Sequence, residues 1–392
     1  MQKKLIAVAM SALLMAGVLA GCGGGPSKES KASADVIKVG GNFELTGGVA
    51  NYGTQAVKGI ELAIKQANAA GGVMGKQIEL VLADNKSEAA EATNAITKLI
   101  TQDKVVAVFG PATSSSTLAT VQVSQDHKVP VITPTGTNAN ITVDNGKTRP
   151  YIFRACFIDP LQGTIMANFA RNSMKAGTAV IYIDNSSDYS KGLAQSFETL
   201  FTKNGGKVLA KEAFLQKDQD FKATLTKIKA LNPDVVFLPA YYEEVGKILK
   251  QAREMGMNMP FLGTDGWDDP KVVEIAGAAP LNNVFYSSHF SSQDTDPTVV
   301  KFISDFKKEY NQEPSVFSAL GYDAGLLLID AIKRANSTDP SKIRDALEQT
   351  KDLQLSTSVI TIDASHNPIK GAVVIELKDG KQIFKERVNP TL

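Results

Sequence analysis

Four places in this 392-residue chain end an apolar run on side chains suited to holding a small charged molecule. Residues 105–110 (VVAVFG) are followed by Pro111, Ala112, Thr113, Ser114, Ser115, Ser116 and Thr117. Hydroxyls and free amides opening a helix can bind a carboxylate or phosphate, although Ser114 or Ser115 could equally act as a plain helix cap. Val131 and Ile132 lead into Thr133, Pro134, Thr135, Gly136 and Thr137, a second hydroxyl-rich turn that also reads as an ordinary polar loop. Phe237 and Leu238 lead into Pro239, Ala240, Tyr241 and Tyr242, two aromatics where a loop needs none. Phe261 and Leu262 lead into Gly263, Thr264, Asp265, Gly266 and Trp267. A carboxylate beside the only tryptophan suits an ammonium group; the alternative is that Asp265 shapes a turn while Trp267 packs in a core. Tyr52 and Tyr189 stand just ahead of helical segments.

Such groups can cooperate only if the fold brings strand ends together. From Val36 onward, residues 37–43, 77–83, 105–110 and 130–133 read as strands, and 53–69, 89–102 and 115–126 as helices. Within 53–69, Val57, Ile60, Ala63, Ile64 and Ala67 recur every three or four residues and mark a buried face. Gly71 and Gly72 stop that helix. The rhythm restarts after Cys156, with strands at 179–184, 208–214, 235–239 and 261–263 and helices at 162–175, 191–204, 221–231 and 243–255. A strand at 284–289 precedes helices at 298–310, 317–335 and 341–350, and 371–385 form a hairpin about the Asp379-Gly380 turn. Strands alternating with helices imply parallel sheets joined by right-handed crossovers. The expected fold is therefore α/β, with two doubly wound lobes, and ligands of open sheets gather at the carboxyl ends of strands.

The N-terminus reads as an export signal. Lys3 and Lys4 precede a short apolar run at 5–20, the pattern of a secretory signal without the flanks of a permanent membrane span. Leu19, Ala20, Gly21 and Cys22 resemble a bacterial lipobox, which makes 1–21 a signal peptide and Cys22 the lipidated residue. The alternative is an ordinary signal peptide with an incidental cysteine. Acyl chains, at about 0.8 kcal/mol per buried CH₂, would hold the protein at a membrane face. Residues 22–35 then form a polar, flexible tether. The formal net charge of +1 argues against a broad nucleic-acid surface. Cys156 is the only other cysteine, so the exported chain has no internal disulfide, and it reads as a buried small hydrophobe. His127, His289 and His366 show no metal-site spacing, and no cofactor is expected.

Several phrases together resemble the bacterial branched-chain amino-acid-binding proteins of ABC importers, the leucine/isoleucine/valine-binding type. They are 46–53 (TGGVANYG), 68–72 (NAAGG), 110–117 (GPATSSST), 132–134 (ITP), Asp188 with Tyr189, 246–253 (GKILKQAR) and 322–325 (YDAG). The resemblance runs from about Val36 to the C-terminus. It implies a type I periplasmic-binding-protein fold: lobe 1 from 36–156 plus 290–370, lobe 2 from 157–289 plus 371–392, and a three-strand hinge between them. The hinge strands cross near Cys156 and Phe157, near His289 and Phe290, and near Lys370 and Gly371. By the same resemblance Ser114 binds the ligand carboxylate, Thr137 contacts carboxylate and ammonium, and the Thr135 carbonyl accepts from the ammonium. Asp265 stands where the family places an acidic residue facing the ammonium. Tyr189 and Tyr241 close over the ligand, Tyr52 and Phe317 line its side-chain pocket, and Trp267 narrows it. Some relatives carry a first-lobe disulfide; Thr113 occupies one of its positions here.

Three classes of function are compatible with these features. The first is a monomeric, non-enzymatic solute-binding protein, lipid-anchored outside the cell membrane, that delivers leucine, isoleucine or valine to an ABC permease. Variants of it bind another small amino acid, an amide or an aromatic acid. The second is a ligand sensor acting through a separate partner. The third, a hydrolase using Ser114 or Ser115, lacks a Gly-x-Ser-x-Gly elbow and any sequence sign of a paired histidine.

Overall fold

The computed structural model describes residues 36–388, so the signal segment, Cys22 and the tether lie outside the described residues. The first sheet contains β1 (Ile37–Phe43), β2 (Ile78–Asp84), β3 (Val108–Phe109), β4 (Val131–Thr133) and β5 (Ile152–Arg154). These are all parallel, in the order β2-β1-β3-β4-β5. The connecting helices are α1 (Ala50–Ala69), α2 (Ala89–Thr101) and α3 (Ser114–His127). Val57, Ile60, Ala63 and Ile64 of α1 are buried, as the helical spacing requires.

After β5 the chain passes to the second lobe. There α4 (Asp159–Asn168) leads to β6 (Thr178–Asp184), α5 (Asp188–Lys203), β7 (Lys207–Phe214), α6 (Lys222–Leu231) and β8 (Val235–Phe237). Then follow α7 (Tyr242–Glu254), β9 (Phe261–Gly263), α8 (Lys271–Ala276) and β10 (Val284–Ser288). The chain returns to the first lobe as α9 (Pro297–Tyr310), α10 (Val316–Ala335) and α11 (Pro340–Glu348). It ends in the second sheet with β11 (Ala372–Lys378) and β12 (Lys381–Val388). That sheet runs β12-β11-β10-β9-β8-β6-β7, parallel except where the terminal hairpin joins it antiparallel.

The elements fall within about three residues of the sequence-based bounds. The alternation gave no sign of β5 or α8, which are three and six residues long. The helix expected at 162–175 starts earlier and ends as a π turn, Phe169–Ser173. One contact fixes α1 against α10 closely. A β-carbon on Gly59 would lie 2.0 Å from the Ser318 carbonyl oxygen, and one on Gly321 would lie 2.1 Å from that of Ala56. Only glycine lets these backbones approach so closely.

Two consequences of topology position the site. Each sheet reverses its strand order next to its first strand, between β1 and β3 and between β6 and β8. The loops after those strands lie at the point where open α/β sheets hold ligands. The three passages between lobes also run side by side. His289 stacks on Phe157 with 3.5 Å between ring centroids, and Lys370 Nζ is 3.4 Å from the Ala155 carbonyl.

Candidate functional site

Ser114, Thr135, Tyr52 and Phe317 from the first lobe meet Tyr189, Tyr241, Asp265 and Gly266 from the second around one narrow cavity, with Ala112 completing its wall. Its free volume of about 10 Å³ is on the scale of one water molecule, so the lobes stand nearly shut. Seven of the nine residues singled out in the sequence therefore share this cavity. The other two, Thr137 and Trp267, do not line it.

The first-lobe wall is the start of α3. Ser114 is its first residue and is 1 % exposed; the N-cap residue Thr113 makes no side-chain cap. The helix consequently turns the positive end of its dipole to the cleft, with the Ser114 amide reaching the Tyr241 hydroxyl. Neither serine is a cap: Ser114 Oγ accepts from the Asn138 amide at 3.2 Å, and Ser115 Oγ donates to Asp188 across the cleft at 3.0 Å. The loop is held from behind by Glu44, a residue the sequence reading missed. Its buried carboxylate accepts from the amides of Ala112 and Thr113 at 3.0 and 3.1 Å and from the Thr113 hydroxyl at 2.8 Å. Thr113 thus links this loop to Glu44 through both its amide and its hydroxyl. The Thr135 hydroxyl donates to the Ala112 carbonyl at 2.8 Å, tying the second hydroxyl turn to the first. Buried Arg154 braces that turn through the carbonyls of Gly136 and Asn138, at 2.7 and 2.8 Å. Cys156 beneath it is fully buried, and burial pushes its thiol up to about 12.

The second-lobe wall is a carboxylate with three neutral donors. Asp265, 4 % exposed, accepts from Tyr189 Oη at 2.6 Å, Gln162 Nε2 at 3.0 Å and His289 Nε2 at 2.9 Å. Burial lowers His289 to about 4, so its ring is neutral and gives its one proton to Asp265, while Nδ1 has no partner among the described residues. Gln162 Oε1 accepts from the Asp265 amide and from Ser287 Oγ, which fixes the orientation of its amide. Behind this carboxylate lies a second, Asp159, opening α4. Its oxygens face the buried Thr137 hydroxyl, and among the described residues no hydrogen bond of ordinary geometry reaches either of them. Burial pushes the Asp159 carboxyl well above its usual range; Thr137 and Arg154 oppose that rise and Asp265 adds to it.

Between these poles the walls are aromatic. Tyr52 stacks on Phe317 at 4.1 Å, and Tyr189 on Tyr241 at 4.9 Å. The Tyr52 hydroxyl crosses the cleft, donating to the Gly266 carbonyl and accepting from the Tyr242 amide at 3.1 Å. Asn51 Nδ2 crosses as well, bonding both oxygens of Asp269 at 2.9 and 2.7 Å. The expected place of Trp267 in the ligand pocket is corrected. Its ring packs over Gly263, its Nε1 donates to the Leu238 carbonyl at 3.1 Å, and it faces a separate cavity. Asp265–Trp267 form a 3₁₀ turn, so residues two apart point to different sides.

Glu44, Asp159, Gln162 and His289 were not singled out from sequence. His289 had a usable signal, since it directly follows a strand and strand ends had been flagged. Asp159 and Gln162 open a helix after a short strand with no periodicity, and nothing local marks them.

Two doubly wound lobes over a cleft with a helix N-terminus on one wall and a buried carboxylate on the other define a two-lobed binding protein for small molecules. The chain belongs to the periplasmic binding protein family, whose model matches residues 36–382. A leucine-, isoleucine-, valine-, threonine- and alanine-binding protein of Pseudomonas aeruginosa is 32% identical over 316 residues, covering 80% of this chain and 83% of that protein. Among solved structures, the branched-chain amino acid transporter substrate-binding protein LivJ of Streptococcus pneumoniae, in complex with isoleucine, is 41% identical with a TM-score of 0.85. The match covers 91% of this chain and 100% of that one. The leucine-binding protein LivK of Thermotoga maritima is 36% identical with a TM-score of 0.85, covering 91% of this chain and 99% of that one. The fold is the type I periplasmic-binding-protein fold.

Proposed function

We propose that this chain is the extracytoplasmic substrate-binding protein of an ABC importer, capturing a branched aliphatic amino acid and presenting it to a permease. The observation that carries this reading is the pair of opposite poles facing each other across an aromatic box. The α-carboxylate goes to the amides and hydroxyl opening α3 at Ser114. The ammonium goes to Asp265, with the Thr135 carbonyl as a further acceptor and Asp159 and Thr137 behind. The aliphatic side chain lies among Tyr52, Phe317, Tyr189 and Tyr241. The lobe boundaries expected from sequence place the hinge behind this site. Bending there parts the walls to admit the ligand, and the ligand then bridges them and favours the closed state. Cys22 carries the lipid that keeps the protein at the outer face of the membrane.

Ligand capture without turnover agrees with the surroundings of the serines. Ser114 Oγ and Ser115 Oγ engage Asn138 and Asp188, and neither hydroxyl bonds a histidine among the described residues. The test is isothermal titration of the chain, unfolded and refolded to strip ligand, with leucine, isoleucine, valine, alanine and phenylalanine. One-to-one binding of a branched member is expected. No binding of any of the five by a folded chain would overturn the amino-acid assignment.

A further inference from the structure

The cavity that Trp267 faces lies on the opposite side of the 265–269 turn from the cleft, and nothing in the function above uses it. We propose that it is a second ligand site, taking a small organic monocation with an apolar body, of the arylalkylammonium kind. Its volume is about 310 Å³, and its walls include Trp267, Val272, Tyr286, Phe290, Val316 and Leu377. That size and apolar lining, with a few convergent polar groups, are those of a small-molecule site. The Trp267 and Tyr286 rings, 6.5 Å between centroids and inclined at 41°, form an aromatic corner at its inner wall.

Charge decides the ligand class. Asp268, Asp269 and Glu313 contribute to the lining, and no lysine or arginine among the described residues does. Glu313 is already paired with Lys307, and Asp269 is engaged by Asn51 and lies near Lys271. Asp268 is different. It is buried, and its carboxylate is held by neutral donors only: Gln382 Nε2 at 2.6 Å, Tyr286 Oη at 3.3 Å and the Ser288 hydroxyl. Burial pushes its carboxyl up to about 6. A cation in the cavity would supply the missing counter-charge, whereas an anion would be repelled by this carboxylate.

The site spans the hinge. Pro314, Ser315 and Val316, at the start of α10, form the first-lobe side, and Val272, Tyr286 and Leu377 form the second-lobe side. A bound cation touches both lobes and therefore favours their closed arrangement. Reciprocally, closure by an amino acid tightens the cation site; this coupling alone rests on the function proposed above.

The probe is phenethylammonium, titrated calorimetrically into the purified chain, with 3-phenylpropionate as the anionic counterpart of similar shape. Expected is one-to-one binding of the cation only, weakened at least about tenfold by Val273→Trp, which fills the cavity, and by Asp268→Asn. Val273→Trp leaves the Asp268 hydrogen bonds alone and keeps the test valid if Asp268→Asn fails to fold. Saturating isoleucine should leave or strengthen cation binding. Absence of binding to 10-millimolar order, indifference to Val273→Trp, or competitive displacement by isoleucine would overturn the proposal; the last would place the cation in the first cleft. If isoleucine itself fails to bind, the proposed function falls, and the Val273→Trp comparison still judges this site independently.

Discussion

Replacing Asp265 with asparagine isolates the charge that the ligand ammonium is expected to meet. The surrounding network tolerates the exchange. The new side chain would keep one carbonyl oxygen for Tyr189 and Gln162, which share Asp265 Oδ1 at 2.6 and 3.0 Å. Its amide would replace Oδ2, which takes the proton of His289 Nε2 at 2.9 Å. His289 can answer by moving its proton to the free Nδ1, because the ring is neutral and that nitrogen has no partner among the described residues. Folding stability should then change little, while the ammonium loses a fully desolvated ionic partner. Truncating one member of a buried hydrogen-bonded charge pair costs about 2–5 kcal/mol. A loss of about 3 kcal/mol, within that range, is roughly 150-fold in Kd. The assay is titration with isoleucine and, in parallel, with 3-methylpentanoate, which has the carboxylate and side chain but no ammonium. The Asp265→Asn penalty should appear with isoleucine and vanish with the deaminated analogue. Equal penalties for both ligands, or a change below about twofold for isoleucine, would refute the assignment of the ammonium to Asp265.

Other perturbations have directions set by the same geometry. His289, lowered to about 4 by burial against an ordinary value near 6.5, contributes stability above about pH 6.5 that is lost as pH falls towards 4. That contribution is at most about 3 kcal/mol, so urea denaturation of His289→Gln should show a flatter loss between pH 6.5 and 4 than the parent chain. Asp159 has the opposite sign: its raised carboxyl favours folding at low pH and disfavours it as pH rises, so Asp159→Asn should raise the ligand-free Tm more at pH 8 than at pH 5. Asn51→Ala removes the cross-cleft bonds to Asp269 and should speed ligand dissociation about tenfold in stopped flow, from about 1–2 kcal/mol lost by the closed state. Gly321→Ala forces a β-carbon to 2.1 Å from the Ala56 carbonyl and should cost about 2 kcal/mol in urea denaturation despite the better helix propensity of alanine. Cys22→Ser should move the protein from the membrane fraction to the medium or periplasmic fraction on cell fractionation.

The framework was readable because its elements carry long-period signals. The α1 face at Val57, Ile60, Ala63 and Ile64 is buried as its spacing demands, and strands such as Ile37–Phe43 are bounded by the loops that make the site. The strand-end rule then found residues from both lobes that are well over a hundred positions apart, Ser114 and Asp265, which share one cavity. It failed where side-chain direction matters more than position. Trp267 was linked to the ligand through its proximity to Asp265, but a 3₁₀ turn sends the two side chains to different cavities. It failed also for residues that act by supporting others. Glu44 holds the Ala112 and Thr113 amides, and Gln162 and His289 orient Asp265, yet each is a lone polar residue without a motif. Their roles exist only through contacts across the folded chain.

The most direct test of the central claim is a crystal structure of the chain with isoleucine. The isoleucine carboxylate should lie within hydrogen-bond distance of the Ser114 amide and hydroxyl, its ammonium against Asp265, and its side chain among Tyr52, Phe317, Tyr189 and Tyr241. Isoleucine bound outside this cleft, or bound with its carboxylate turned towards Asp265, would contradict it.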